Sequence, residues 1–122
     1  MNTADIERLC KGRSTVDLGC GQDKIAGAVG VDFAGNANAD VRHDLDAYPY
    51  PVTDGTFEVV VLRNVVEHVR DVVGLMEEIH RIGRAGADVL ITTPHFSSLY
   101  SYQDPTHQRH LALDSMDYFT EG

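Results

Sequence analysis

The sequence has no tryptophan, only two cysteines and few basic residues. Ten Lys and Arg stand against nineteen Asp and Glu, which gives a formal net charge of −9. Cys10 and Cys20 are too few for the disulfide framework of a small secreted domain. The shortage of basic residues disfavours broad electrostatic binding to DNA or RNA, so nucleic acid is not expected as a partner.

Long apolar runs are also missing. No stretch approaches the roughly 20 residues that span a bilayer, and residues 1–9 lack the basic start and apolar centre of a signal peptide. We therefore expect a soluble, cytoplasmic protein without a membrane partner. The length of 122 residues with 43% hydrophobic residues fits a single folded domain over 1–122.

The hydrophobic pattern alternates between helical and strand periods. Apolar residues at helical spacing predict helices over residues 3–11 and 65–82, with at most one or two helical turns at 22–26. Short apolar, β-branched runs predict strands over residues 14–18, 28–33, 39–41, 57–62 and 87–93. This alternation predicts an α/β fold of three layers, with a doubly wound, mostly parallel sheet. In such sheets ligands bind beyond the carboxyl ends of the strands.

A glycine-rich turn follows the first predicted strand. Gly19 and Gly21 are two residues apart, which lets the backbone turn tightly and approach a ligand without a Cβ in the way. Asp17 precedes that turn, where its carboxylate can face an amine or a hydroxyl. A tight turn that serves only the fold is the alternative interpretation, because Gly-x-Gly alone is weakly specific.

An acidic residue, Asp32, ends the second predicted strand. Nucleotide-binding α/β folds place there the group that accepts the ribose hydroxyls, although a solvated strand-end aspartate is the simpler alternative. The dinucleotide fingerprint requires a third glycine where this chain has Lys24. A nucleoside without a diphosphate therefore fits better than NAD, which makes an NAD-dependent oxidoreductase the weaker interpretation.

Four segments in this order resemble a known family. They are VDLGCG, GVDF, HDLDAYPYPVTDGTFEVVVLRNVVEHV and ADVLITTP. Their succession over residues 13–94 is similar to the class I S-adenosylmethionine-dependent methyltransferases, specifically the type-11-like group with its Rossmann-like fold. The resemblance implies S-adenosyl-L-methionine as the cofactor, S-adenosyl-L-homocysteine as the product and a small-molecule acceptor.

The resemblance also implies a role for each motif. Asp17 would orient the methionine amine, Asp32 would bind the ribose hydroxyls, and Phe33 would lie beside the ribose or adenine. Residues 44–45 would contact the adenine, and residues 63–64 would line the methionine portion of the cofactor. The implied cofactor-binding residues are Asp17, Gly19, Cys20, Gly21, Asp32, Phe33, Asp44, Leu45, Arg63 and Asn64.

Catalytic residues are much less clearly marked than the cofactor site. Methyl transfer from a sulfonium is an in-line displacement, so positioning can supply most of the catalysis, and a base is needed only if the acceptor must lose a proton. The segment after the fifth strand offers His95, His107 and His110 as bases and Arg109 as a partner for an anionic acceptor. An ordered loop whose histidines cap backbone groups is an equally good interpretation.

A metal site is not predicted. His95, Asp104, His107 and His110 are chemically suitable ligands, but their spacing matches no strong metal pattern.

His68 follows Glu67 in a Glu-His pair that recurs in the family. Its place on the predicted helix 65–82 favours a structural role over catalysis.

Compared with the family, the chain is short for a complete sheet. The family sheet has seven strands, whereas this chain is expected to stop after about the fifth, with residues 1–94 forming the cofactor-binding core and 95–122 an acceptor-side loop with a short helix at 113–119. An uncovered fifth strand would expose unpaired backbone groups, which favour pairing with another chain or aggregation. We therefore expect residues 95–122, or a second copy in a homodimer, to cover that edge. A binding-only or catalytically incomplete module is the alternative function.

Overall fold

Five parallel strands form one sheet in the computed structural model, which describes residues 3–92. The strands are β1 Thr15–Leu18, β2 Val29–Asp32, β3 Val41–Arg42, β4 Phe57–Arg63 and β5 Gly83–Thr92. Their order is β3-β2-β1-β4-β5, and every neighbouring pair is parallel. The chain thus winds outward in both directions from β1, which confirms the predicted doubly wound α/β fold.

The sheet has an apolar cluster on each face. Alternate residues of β1 and β4, such as Val16 and Leu62, pack with Leu75 of the second helix on one face. On the other face, Val59 and Val61 pack with Ile6 of the first helix. Since successive strand residues point to opposite faces, a continuous apolar run fills both clusters, and this gives the three predicted layers.

The first helix, α1 Thr3–Cys10, agrees with its prediction, whereas the second is shorter than predicted. Helix α2 spans Val72–Ile82, and residues 65–71 form turns rather than the first two helical turns. Asp71 caps α2 by accepting a hydrogen bond from the Gly74 amide. Val65 and Val69 enter the core from these turns, which explains the misleading helical spacing. His68 therefore does not lie on α2.

The connections in the first half of the chain contain no helix within the described residues. The turns predicted at 22–26 are not helical. The third strand forms at Val41–Arg42 rather than 39–41, and β5 begins at Gly83 rather than at 87. The early residues of β5 pair irregularly with β4 around Phe57 and Val59. They also lack the β-branched apolar side chains by which a strand is recognised in sequence.

Strand β5 lies at the edge of the sheet as far as the described residues show. A groove of about 640 Å³ runs between it and α2 and includes Val73, Met76 and Val89. Residues 95–122, the predicted short helix and the expected cover of this edge lie outside the described residues, so they stay predictions. Within residues 3–92, no helix is both long and apolar enough to cross a membrane.

Candidate nucleoside-binding site

A cavity of about 310 Å³ opens at the carboxyl ends of the strands. Six of the ten residues implied as cofactor-binding line it: Gly19, Asp32, Phe33, Asp44, Leu45 and Asn64. They come from four separate segments, which meet because the ends of parallel strands share one edge of the sheet. The sequence interpretation missed His43 and Asp46, which also line the cavity. Their place within the HDLD motif was the available signal.

Gly19 is the point of closest approach in this cavity. Its φ is 69°, a left-handed conformation, and a Cβ built on it would lie 2.6 Å from Cγ2 of Val65. Its amide donates a 2.7 Å hydrogen bond to the carbonyl of Val31. A side chain at this position would be strained and would project into space beside the cavity wall. Glycine is thus required here, because only glycine adopts this φ readily and because Val65 leaves no space for a side chain.

Asp32 connects the end of β2 to the glycine-rich turn. Its Oδ2 accepts a 2.9 Å hydrogen bond from the Gly21 amide, and its Oδ1 accepts a 3.0 Å hydrogen bond from the Ala34 amide. These bonds hold the carboxylate at the cavity wall in a defined orientation. Carboxylate oxygens have several lone pairs, so each can accept a further hydrogen bond from a hydroxyl group.

Asp17 lies behind the cavity wall rather than in it. Its side chain is 0% exposed, and its Oδ2 accepts hydrogen bonds of 2.9 Å from the Ile25 amide and from the Arg63 guanidinium. Oδ1 is buried and has no hydrogen-bond partner among residues 3–92. Burial raises the pKa of Asp17, against the opposing effects of the Ile25 amide and of Arg63. Asp17 therefore holds the turn 19–25 in place.

Arg63 ties the end of β4 to the same turn. Its guanidinium bonds both the Asp17 carboxylate and the carbonyl of Asp23. Its Nε is buried and has no hydrogen-bond partner within the described chain. Among the described residues, a buried donor on Arg63 and a buried acceptor on Asp17 thus have no hydrogen-bond partner beside the glycine-rich turn.

Replacing Arg63 with methionine is expected to lower the free energy of unfolding by about 3 kcal/mol at neutral pH, because it leaves the Asp17 charge without its cationic partner. Since folding raises the pKa of Asp17, the folded state binds this proton more tightly than the unfolded state. The contribution of Asp17 to stability therefore declines as the pH rises from its ordinary pKa through the raised one. In acid the Asp17 carboxyl is protonated, so removal of Arg63 leaves no unpaired charge there. The loss of unfolding free energy in Arg63→Met should therefore be smaller in acid than at neutral pH.

Urea unfolding at several pH values tests this expectation. Arg84→Met is the matched control, because Arg84 is exposed and lies 3.9 Å from its nearest carboxylate, that of Glu58. Exposed pairs of this kind contribute little. Equal losses in the two variants, or a loss in Arg63→Met that does not change with pH, would contradict the role given to the Asp17–Arg63 pair.

The outer wall of the cavity carries an exposed aromatic ring. Phe33 is 57% exposed, and the guanidinium of Arg42 lies 5.1 Å from its ring centroid. The loop of Asp44 and Leu45 also lines this cavity. Within this loop, Asp44 accepts a 2.9 Å hydrogen bond from the Asp46 amide. An apolar ring and a carboxylate in one cavity are suited to a flat heterocycle that carries an amino group.

Arg81 of α2 anchors the far end of this loop. Its guanidinium bonds the carboxylate of Glu78 at 2.8 Å and the carbonyls of Tyr50 and Val52 at 3.0 and 2.9 Å. The Arg81 hydrogen bonds hold the pKa of Glu78 below its ordinary value. Tyr50 in turn donates a 2.8 Å hydrogen bond from its hydroxyl to the carbonyl of Leu45. A chain of contacts thus runs from α2 to the cavity wall.

Cys20 and the catalytic candidates complete the comparison with the sequence. The Cys20 thiol is buried, lies 3.7 Å from the carbonyl of Asn38, and has its pKa raised chiefly by burial. This supports a packing role rather than a nucleophilic one.

The four catalytic candidates, His95, His107, Arg109 and His110, lie outside the described residues. Among residues 3–92 no group of three or more His, Cys, Asp or Glu side chains could hold a metal ion.

Comparison with known proteins decides the family. The sequence pattern of the family described as "Methyltransferase domain" matches residues 3–121. The chain belongs to this family. A protein from Mycolicibacterium smegmatis, named as a probable S-adenosylmethionine-dependent methyltransferase, is 29% identical over 127 residues, which cover 87% of this chain and 49% of that protein.

Solved structures of methyltransferases share the fold. A methyltransferase from Archaeoglobus fulgidus, described as SAM-dependent, superposes with a TM-score of 0.73 at 22% identity, covering 97% of this chain and 66% of the other. One from Aquifex aeolicus gives a TM-score of 0.71 at 12% identity, covering 97% and 76%. This methyltransferase domain thus spans about half the length of its curated relative and about two thirds of the Archaeoglobus protein.

Proposed function

We propose that this methyltransferase domain binds S-adenosyl-L-methionine in the cavity at the strand ends and transfers its methyl group to a small-molecule acceptor. The observation that supports this most strongly is the convergence of Gly19, Asp32, Asp44 and Asn64 on one cavity. Each comes from a different motif, and together they offer a close backbone approach, carboxylates and an amide. The name of the Mycolicibacterium relative agrees with this cofactor.

The residues present suit the cofactor. Gly19 forms a cradle that a Cβ would fill, and Oδ1 of Asp17 is a buried acceptor without a partner in the described chain. Asp32 would accept hydrogen bonds from the ribose hydroxyls, Phe33 would cover the adenine, and Asp44 would accept from its amino group. When bound, the cofactor supplies an electrophilic methyl group on a sulfonium. The residues of the chain then need only orient it.

The acceptor side would belong to residues 95–122 and the cofactor side to 1–94. If the acceptor must lose a proton, His95, His107 or His110 would take it, and Arg109 would hold an anionic acceptor. We also propose that this segment or a second copy covers the edge of β5. Free Cys10 and Cys20 fit a reducing, cytoplasmic location.

Calorimetric titration with S-adenosyl-L-homocysteine tests the cofactor assignment. We expect one site, and at a ligand concentration 100 times Kd an increase of about 2.7 kcal/mol in the free energy of unfolding. Adenosine alone should bind much more weakly, since it lacks the amino-acid portion. The absence of binding would overturn the proposal. Binding without methyl transfer to any member of a broad acceptor panel would favour the binding-only alternative.

A further inference from the structure

Asp46 is an acid of the cavity wall to which the proposed cofactor site gives no role. It follows β3 and lines the cavity together with Asp44 and Leu45. Its Oδ1 accepts a 2.8 Å hydrogen bond from the amide of Arg70, which is 24 positions further along the chain. Arg70 belongs to the segment 64–71 between β4 and α2, and Asn64 at the start of that segment also lines the cavity. The Asp46 side chain thus joins two segments that form the same cavity.

The main chain of Asp46 holds a second residue of the cavity. The Asp46 amide donates a 2.9 Å hydrogen bond to Oδ1 of Asp44, and the Ala47 amide donates a 3.0 Å hydrogen bond to the Asp44 carbonyl. These bonds form an Asx turn, which fixes the Asp44 carboxylate relative to the Asp46 backbone. Two hydrogen bonds therefore run in series from Arg70 through Asp46 to Asp44. They connect the segment 64–71 to the carboxylate that would accept from the adenine amino group.

A neighbouring hydrogen bond joins the same loop to the same segment without acting on Asp44. The Tyr48 hydroxyl donates a 3.2 Å hydrogen bond to the carbonyl of Asp71. Among the described residues that line the cavity, Tyr48 is absent, and its ring stacks on Tyr50. Tyr48 therefore supplies a matched comparison, because its bond ties the loop down but does not orient the carboxylate.

We propose that Asp46 is a positioning residue that makes the cavity selective for adenine over hypoxanthine. The amino group of adenine is a donor and suits the Asp44 carboxylate, whereas hypoxanthine carries at the same place an oxygen that is an acceptor. The adjacent ring nitrogen of hypoxanthine carries a proton, which a mobile carboxylate can reach by moving. The tether through Asp46 prevents that movement, so Asp44 acts as a selective acceptor rather than an adaptable one. This inference rests on the proposed function.

Calorimetric titrations with S-adenosyl-L-homocysteine and S-inosyl-L-homocysteine test the selectivity. The wild type should prefer the adenosyl ligand about 30-fold, as expected for one hydrogen bond to a charged group. In Asp46→Ala the preference should fall below about fivefold, because Asp44 is no longer held. Asparagine keeps an oxygen that can accept from the Arg70 amide, so Asp46→Asn should keep the wild-type preference. Tyr48→Phe should keep it as well.

Three results would overturn the positioning role. An equal loss of affinity for both ligands in Asp46→Ala, with the preference unchanged, would show that Asp46 only supports the fold. A preference lost as fully in Asp46→Asn as in Asp46→Ala would assign the effect to the charge of Asp46 rather than to its hydrogen bond. A similar loss in Tyr48→Phe would show that any bond between the loop and the segment 64–71 has the same effect.

Hydrogen exchange of the Arg70 amide tests the tether without a ligand. This amide should exchange about tenfold faster in Asp46→Ala than in the wild type and in Asp46→Asn, because it loses its acceptor. Unchanged exchange would contradict the tether. The titrations also separate the two proposals: if the wild type binds neither ligand, the proposed function fails and the selectivity with it, whereas equal binding of both ligands overturns the selectivity alone.

Discussion

Asp32→Asn is expected to weaken the binding of S-adenosyl-L-homocysteine about 100-fold. The carboxylate would bond two ribose hydroxyls, and a hydrogen bond to a charged group contributes roughly 1.5 kcal/mol or more. Asparagine keeps one acceptor oxygen and the size of the side chain, but it loses the charge and one acceptor. Isothermal titration calorimetry measures the change in Kd directly.

The control for this variant is Asp88→Asn, which removes the same charge from an exposed aspartate on β5 that pairs with Arg13. It should bind the ligand as the wild type does, so that general charge effects are separated from the local one. Circular dichroism of both variants shows whether the fold is kept. A loss of less than about threefold in Asp32→Asn would remove Asp32 from the ribose site.

Gly19→Ala is expected to abolish detectable binding and to lower the free energy of unfolding by about 2–4 kcal/mol. Two effects add: the left-handed φ of 69° disfavours alanine by about 1 kcal/mol, and the new Cβ overlaps Cγ2 of Val65 at 2.6 Å. Relief of that overlap requires movement of the chain or of Val65, both of which line the cavity. Urea unfolding and calorimetry measure the two losses separately.

Gly21→Ala is the matched comparison in the same turn. Gly21 also has a positive φ, of 59°, but a Cβ there would meet no atom of residues 3–92 within 4 Å. The expected loss is therefore the conformational part alone, about 1 kcal/mol. If the two variants lose equal stability and equal affinity, the close approach of Val65 to Gly19 has no functional meaning.

The fold was largely predictable because the pattern of a doubly wound sheet is strong. Continuous apolar runs such as Phe57–Arg63 are typical of strands buried on both faces, and such a run located β4. Strands without such a run were located less well: the third forms at Val41–Arg42 rather than at 39–41, and the fifth begins four residues before its predicted start. The boundaries of α2 were not predictable from periodicity. Valines at positions 65, 69 and 72 repeat at helical spacing, yet the first two reach the core from turns, and only the Asp71 cap marks the helix start.

The candidate site was predictable to the extent that strand ends define it. Asp32 ends β2 and Asn64 directly follows β4, so the parallel sheet necessarily brings them to one edge. The partners of Asp17 were not predictable, because Arg63 is 46 positions away in sequence and only the β1–β4 register places the two side by side. For the same reason, the burial of Glu67 could not be inferred from a sequence that shows it beside His68.

The helix-free connection between β1 and β2 affects how this domain moves. The amides of Gly21 and Ile25 donate to the carboxylates of Asp32 and Asp17 rather than to a helical or strand neighbour. Their hydrogen exchange is therefore controlled by two acids, and not by the cooperative opening of a secondary-structure element. We therefore expect these two amides to exchange faster than those of β1 and β4, because the turn can open without breaking the hydrogen bonds between strands.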